Sequence, residues 1–227
     1  MLIVIEGGDA VGKATQARRL HNRIVEMFPN GRNAIYNFPD YSTITGKAVL
    51  ELLKEQWKPV YNDDHWTEES GSGDGAKLRA LMIQTLMTMN RYEKHSELSL
   101  FGKSGHDHAV VDRYIASGLV YGESDGLDFN HLVAIHSALP QPDLCILIDL
   151  PAEEGYKRRP NRRDEYEKRS GFMEIVRTNY LKLFNDRCGI FNGTWKIVDG
   201  TKSEDAVHAD MCNIVNEYMY NNTAQGA

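Results

Sequence analysis

An apolar run, Leu2-Ile3-Val4-Ile5, leads directly into Glu6-Gly7-Gly8-Asp9-Ala10-Val11-Gly12-Lys13-Ala14-Thr15, and a helical apolar pattern follows. No other stretch of the chain restricts its fold so tightly. A buried strand, a glycine-rich turn and a helix start, in that order, make a phosphate-binding loop. Gly7 and Gly12 let backbone N–H groups and the helix N-terminus converge on one anion, and Lys13 adds a point charge for the outer phosphates. The ligand implied is a nucleoside triphosphate, held by Gly7, Gly8, Asp9, Ala10, Val11, Gly12, Lys13, Ala14 and Thr15. The match to G-x-x-x-x-G-K-[ST] fails at one place. Ala14 stands where a hydroxyl would reach Mg²⁺, so Thr15 or a carboxylate elsewhere is expected to serve the metal, directly or through water.

The remainder alternates between strand and helix signals. Ala17, Leu20, Ile24, Val25, Met27 and Phe28 continue at helical spacing until Pro29-Asn30-Gly31 stops them. Ala34 to Phe38 reads as a second strand, and Ser42 or Thr43 as the N-cap of a helix carrying Ala48, Val49, Leu52 and Leu53. Residues 59–77 are polar and glycine-rich, an inserted surface loop. A helix is expected from about Leu78 to Leu100. Ala109-Val110-Val111 then runs into Asp112-Arg113-Tyr114, presenting a carboxylate and a guanidinium at the carboxyl end of a buried strand, the edge where ligands bind in open parallel sheets. His106 and His108, flanking Asp107, read as solvated. Leu144 to Leu150 is a further buried strand. Lys157-Arg158-Arg159-Pro160-Asn161-Arg162-Arg163, the densest basic cluster, reads as a flexible arginine-rich lid over phosphates, about 155–168. A strand near Trp195 to Val198 and a helix from Ser203 to about Tyr220 complete the pattern. The fold expected is a P-loop NTPase-type α/β domain: a parallel sheet with helices on both faces, three-layer α/β/α, spanning 1–227 as one unit.

Composition narrows the partners. The chain has 227 residues, 41% of them apolar, enough for a single sizeable core, and its net charge of −6 argues against a general nucleic-acid binder. Cys145, Cys188 and Cys212 are far apart, with no C-x-x-C, which suits a reducing, cytoplasmic setting. No apolar run approaches a membrane span, and the N-terminal apolar stretch lacks a basic leader.

Six stations, in order, resemble the thymidylate kinases of the nucleoside monophosphate kinase class. They are Glu6-Gly-Gly-Asp9-x-x-Gly12-Lys13-x-Thr15-Gln16, Phe38-Pro39-x-x-Ser42-Thr43, Asn90-Arg91-Tyr92-Glu93, Asp112-Arg113-Tyr114-x-x-Ser117-Gly118, the lid ending in Asp164-Glu165-Tyr166-Glu167, and Val198-Asp199-Gly200. The resemblance implies phosphoryl transfer from ATP to dTMP, giving ADP and dTDP with Mg²⁺, and a homodimer. It implies that Lys13 and the loop amides hold the donor, with Arg158 over its adenine. Asp9 would accept a hydrogen bond from the acceptor's 3′-hydroxyl, and Arg113 would bind its phosphate. Asp112 would reach Mg²⁺, and Phe38, Pro39, Ser117 and Gly118 would line the acceptor site. Arg91 would donate to the thymine O4, where cytosine presents an amino group. Tyr121 would lie against the sugar's 2′ carbon and disfavour ribonucleotides.

The chain departs from the family pattern at three points. Tyr41 replaces an arginine expected on the acceptor phosphate. Met87 replaces a phenylalanine stacked on the base, leaving a thioether to pack there. Ala10 replaces the loop arginine of one branch of the family, so the lid is expected to supply the catalytic cation from Arg162 or Arg163, with Arg159 behind them. These departures keep two alternatives in view: a kinase of broader or altered acceptor choice, such as dUMP, and a non-catalytic nucleotide-binding module. Structural roles also compete, with Arg91 pairing with Glu93 and Asp112 with Arg113.

Overall fold

The computed structural model describes residues 1–54, 74–103, 105–158 and 171–225. Five parallel strands, β1 (Leu2–Glu6), β2 (Asn33–Asn37), β3 (His108–Asp112), β4 (Leu144–Asp149) and β5 (Thr194–Asp199), form one sheet ordered β2-β3-β1-β4-β5. β1 lies at its centre, with Ile3 opposite Val110 on one side and Leu144 on the other. Its apolar run is unbroken because both faces of the sheet are covered.

Alternation along the strands divides the core into two layers. Ile3, Ile5, Val110, Ile146 and Ile148 pack against Leu20 and Ile24 of α1 (Lys13–Met27), and against Val207 and Met211 of the last helix. Leu2, Val4, Val111, Cys145 and Leu147 pack on the opposite face against Leu119 and Val120 of α5 (Ile115–Ser124) and Val176 and Tyr180 of α8 (Phe172–Lys182). The remaining helices are α2 (Ile44–Leu53), α3 (Asp74–Tyr92), α4 (His95–Leu98), α6 (Phe129–His136), α7 (Ala152–Arg158) and α9 (Glu204–Gln225). No helix among the described residues is long and apolar enough to cross a membrane.

Of the two expected caps of α2 it is Thr43 that serves, its hydroxyl accepting from the Gly46 N–H at 3.1 Å. Several other expectations change. The expected loop at 59–77 is cut short: residues 74–77 already belong to α3, and 59–73 lie outside the described residues. The helix expected to reach Leu100 stops at Tyr92, where the Lys94 N–H bonds the Arg91 carbonyl at 3.1 Å, tightening the last turn before α4 begins. Lys157 and Arg158, expected in a flexible lid, complete α7, while Arg159, Arg162 and Arg163 fall outside the described residues. Val25 and Met27 are exposed and not part of the core. His108 is not solvated. It opens β3 at 4% exposure with its ring centroid 4.3 Å from that of Phe28, and burial lowers its pKa to about 4.

Candidate active site

The carboxyl ends of β1 and β3 carry two acidic residues with opposite surroundings. Glu6 is fully buried. One carboxylate oxygen accepts from the Tyr114 N–H at 2.8 Å and the Ser117 N–H at 3.2 Å, and the other from the Ser117 hydroxyl at 2.6 Å and the Tyr180 hydroxyl at 3.1 Å. It therefore satisfies the free amides at the start of α5 from another strand. The sequence reading gave Glu6 no role, although an acidic residue closing an apolar strand was the available signal. Asp112 is only partly buried, and its Oδ1 has no hydrogen-bond partner among the described residues.

Between these strand ends the loop 7–12 turns back on itself. Gly7 has φ +147°, and a Cβ there would lie 2.7 Å from the Ile148 carbonyl oxygen, so no other residue fits without moving the sheet. Gly12, left-handed at φ 95°, caps α1. Ala10 (φ 60°), within this loop, and Arg113 (φ 64°), beside it, are the non-glycine residues with positive φ among those described. Such strain is characteristic of ligand sites. Lys13 is buried and donates to the Gly8 carbonyl. Burial, reinforced by the Arg113 charge, lowers its pKa to about 8. Gln16 ties α1 to α9 by donating to the Glu204 carbonyl at 2.8 Å.

Arg113 does not pair with Asp112. Its guanidinium meets the Asp9 carboxylate and also donates to the Gly7 carbonyl at 3.2 Å and the Ser117 hydroxyl at 3.3 Å, while its carbon lies 5.1 Å from the Tyr121 ring centroid. The Tyr121 hydroxyl donates to the other Asp9 oxygen at 3.1 Å. Burial alone would lower the Arg113 pKa, but Tyr121 and Asp9 hold it well above the ordinary value. Asp9, Arg113 and Tyr121 thus form one hydrogen-bonded group beside Lys13, with Asp9 engaged by Arg113.

No group of three or more His, Cys, Asp or Glu suited to a metal occurs among the described residues. The unpartnered Asp112 oxygen beside Lys13 nevertheless fits Mg²⁺, which keeps several waters, takes phosphate oxygens and needs only one or two carboxylates. Thr15, two residues beyond Lys13 in the first turn of α1, is partly buried, whereas Ala14 is exposed.

The second half of the site lies along α3. Arg91 is buried and does not reach Glu93; its Nη1 lies 3.2 Å from His136 Nε2. Glu93 accepts instead from the Thr45 hydroxyl at 2.6 Å and the Asn90 carboxamide at 3.2 Å. Met87 is half-buried against the cluster containing Phe38 and Tyr114, whose ring centroids are 5.7 Å apart. Pro39 follows through a cis peptide, and Tyr41 is 40% exposed on the same turn. Ser117 is occupied with Glu6, and Gly118 lies beneath Arg91 and His136.

On the other flank, the Arg158 guanidinium donates to the Gly200 carbonyl at 2.8 Å, beside the turn in which Asp199 accepts from the Thr201 N–H at 2.9 Å. A residue that the sequence reading overlooked is Arg177 of α8. It pairs through two nitrogens with Asp149 at 2.8 and 3.0 Å and lines a cleft with Gly8, Asp9, Ala10, Tyr156 and Met173. The carboxylate that closes β4 was its signal.

Comparison with known proteins gives the same reading along nearly the whole chain. The family described as thymidylate kinase matches residues 5–211. The thymidylate kinase of Dictyostelium discoideum is 29% identical over 216 residues, covering 94% of this chain and 84% of that one. A probable thymidylate kinase of Thermococcus onnurineus is 31% identical over 218 residues, covering 95% and 97%. Among solved structures, the Candida albicans thymidylate kinase, described as having broad substrate specificity, superposes with a TM-score of 0.68 at 25% identity, covering 96% of this chain and 92% of that one.

Proposed function

The chain belongs to the thymidylate kinase family, and from that premise we propose that it transfers the γ-phosphoryl group of ATP to dTMP, giving dTDP and ADP. The observation that carries the reading is a pair of neighbouring cations, buried Lys13 at the start of α1 beside the triphosphate loop and partly buried Arg113 just after β3 on the loop's other side. Joining two phosphorylated substrates requires cations from both sides, because both reacting groups are anions.

Lys13 and the loop amides hold the donor's outer phosphates, and Arg158 covers its adenine. The dTMP phosphate displaces Asp9 from Arg113, which frees Asp9 to accept the 3′-hydroxyl. Arg91 reads the base carbonyl, Met87 and Phe38 pack against the base, and Tyr121 excludes a 2′-hydroxyl. An oxygen of the dTMP phosphate then attacks the γ-phosphorus in line while the bond to the β,γ-bridging oxygen breaks and ADP leaves. No strong general base is needed, since the attacking oxygen already carries charge. Asp112 and Thr15 would hold Mg²⁺, which would supply charge neutralisation for the donor's phosphates. Arg162 or Arg163 supplies the remaining cation from the lid.

A cytoplasmic homodimer completes the reading, supported by exposed Ile44 on α2 and Met89 on the adjoining α3. Sedimentation at about twice the chain mass of 25.7 kDa would support the dimer, and monomer mass would remove it. The activity is tested by ADP release from ATP and Mg²⁺ with dTMP, dUMP, dGMP, dCMP, UMP and thymidine supplied separately. A strong preference for dTMP is expected. A profile centred on another monophosphate would transfer the reading to an altered acceptor, and nucleotide binding without turnover would replace it with a binding module.

A further inference from the structure

Arg91 is 2% exposed, yet its hydrogen-bonding partner is a neutral ring and not a carboxylate. Its Nη1 lies 3.2 Å from His136 Nε2, and its Nε has no partner among the described residues. His136, the last residue of α6, is fully buried. Its Nδ1 is 2.7 Å from the Leu132 carbonyl oxygen. A carbonyl oxygen can only accept, so Nδ1 carries the ring proton and Nε2 presents a lone pair. Thr88 Oγ1 lies 3.2 Å from the same Nε2, but its hydrogen is directed to the Gln84 carbonyl at 2.7 Å, which leaves Arg91 as the donor to Nε2. Burial, with the Arg91 charge behind it, lowers the His136 pKa to about 3, so the ring is a neutral acceptor throughout the neutral range.

Gly118 of α5 completes this seat. A Cβ there would lie 2.3 Å from His136 Nε2, 2.7 Å from its Cε1 and 3.0 Å from Arg91 Nη1. Three helices thus meet at a point where α5 contributes no side chain and α3 and α6 contribute a donor and an acceptor.

We infer that His136 is a positioning residue of the acceptor site, its Nε2 lone pair fixing the Arg91 guanidinium so that the remaining N–H groups face the acceptor base, with Gly118 providing the space for the pair. This rests on the reading that Arg91 donates to the base carbonyl. A carboxylate in the place of His136 would hold the fork as well but would neutralise it. Imidazole fixes the direction and leaves the positive charge for the ligand's oxygen. A guanidinium free to swing could accommodate an amino group at the base as readily as a carbonyl, and discrimination between thymine and cytosine would fall.

The test compares His136→Phe, which fills the space without an acceptor, His136→Gln, which restores one, and Gly118→Ala, which wedges the pair apart without altering either member. Arg91→Lys tests the underlying reading. KM and kcat are measured for dTMP, dCMP and ATP. For His136→Phe and Gly118→Ala the expected result is a rise in KM for dTMP of about tenfold, a smaller fall in kcat, an ATP KM within twofold, and a dTMP-over-dCMP ratio reduced about tenfold, the loss that accompanies one misplaced polar contact. His136→Gln should recover most of it. An unchanged ratio in His136→Phe and Gly118→Ala, while Arg91→Lys collapses it, would overturn the inference and leave His136 a packing residue. Equal losses on every acceptor together with a lowered Tm would overturn it in the same way. An unchanged ratio in Arg91→Lys would remove the reading of Arg91 itself.

Discussion

The two arginines of the site, partly buried Arg113 and fully buried Arg91, sit in opposite electrostatic surroundings. Arg113 rests on the Asp9 carboxylate with Tyr121 against it, and its pKa is held well above the ordinary value despite burial. Arg91 rests on the neutral His136, and burial lowers its pKa to about 10. The contrast matches what each is proposed to receive. A cation awaiting a phosphate can be kept in place by a removable anion of the protein, whereas a cation awaiting an uncharged base must stay unneutralised, because a fixed counterion would compete with a weak carbonyl acceptor.

Removing the charge-paired cation should produce the largest effect. Arg113→Met is expected to lower kcat/KM for dTMP by about 10³-fold, since a positioned cation at a reacting phosphate contributes on that scale. A loss under tenfold in steady-state assays would mean that Arg113 serves only to anchor Asp9. Next comes Asp9→Asn, which keeps the shape and removes the charge. If Asp9 accepts the sugar hydroxyl, KM for dTMP should rise roughly tenfold, the effect of one weakened hydrogen bond. If Asp9 merely masks Arg113, KM should fall instead, so the sign decides.

The third measurement concerns Lys13, whose pKa in the free protein is lowered to about 8. The bound triphosphate stabilises its charged form, so the complex takes up a proton wherever free Lys13 has lost one. Affinity for ATP measured by calorimetry should be unaffected by Lys13 below pH 8 and fall by up to about tenfold per pH unit above it. A flat profile up to pH 9.5 would exclude that titration. The last effect is on stability alone and lies under Arg91. His136 titrates at about 3 in the folded chain against 6.5 when exposed, so the unfolded chain binds a proton that the folded one refuses. Stability is complete above pH 6.5 and declines as pH falls toward 3, by roughly 2 kcal/mol at pH 5 from this group. His108, with its pKa at about 4, adds to the decline in the same direction. Thermal melts from pH 8 to 5 should therefore be shallower for His136→Gln than for the native protein.

What could be read from the sequence follows the distance over which each feature is determined. β1, the phosphate loop and α1 are local: an apolar run, spaced glycines and a helical pattern lie within thirty consecutive positions. Asp9 and Arg113 follow the carboxyl ends of β1 and β3, which open parallel sheets bring together, whereas the place of Tyr121 within α5 came only from the family resemblance. Glu6 and His136 were not read in this way. The partners of Glu6 on α5 lie at least 108 positions away, and His136 is 45 positions from Arg91, so neither leaves a local periodicity. His108 was misread because its polar neighbours His106 and Asp107 suggested a loop, while Phe28 covers it from another element.

The central position of β1 also has a consequence for biosynthesis. Leu2 to Ile5 are made before their neighbours, yet their hydrogen-bonding partners begin at Ala109 on one side and Leu144 on the other. While the nascent chain lengthens, this apolar segment has no strand beside it, and the sheet cannot close around it until Leu144 and the residues after it have emerged. Closing such large loops makes folding slow, and an unpaired apolar strand is open to aggregation in the interval. The nucleotide loop attached to β1 can therefore acquire its binding geometry only late in synthesis, so a ligand cannot assist the earliest stages of folding.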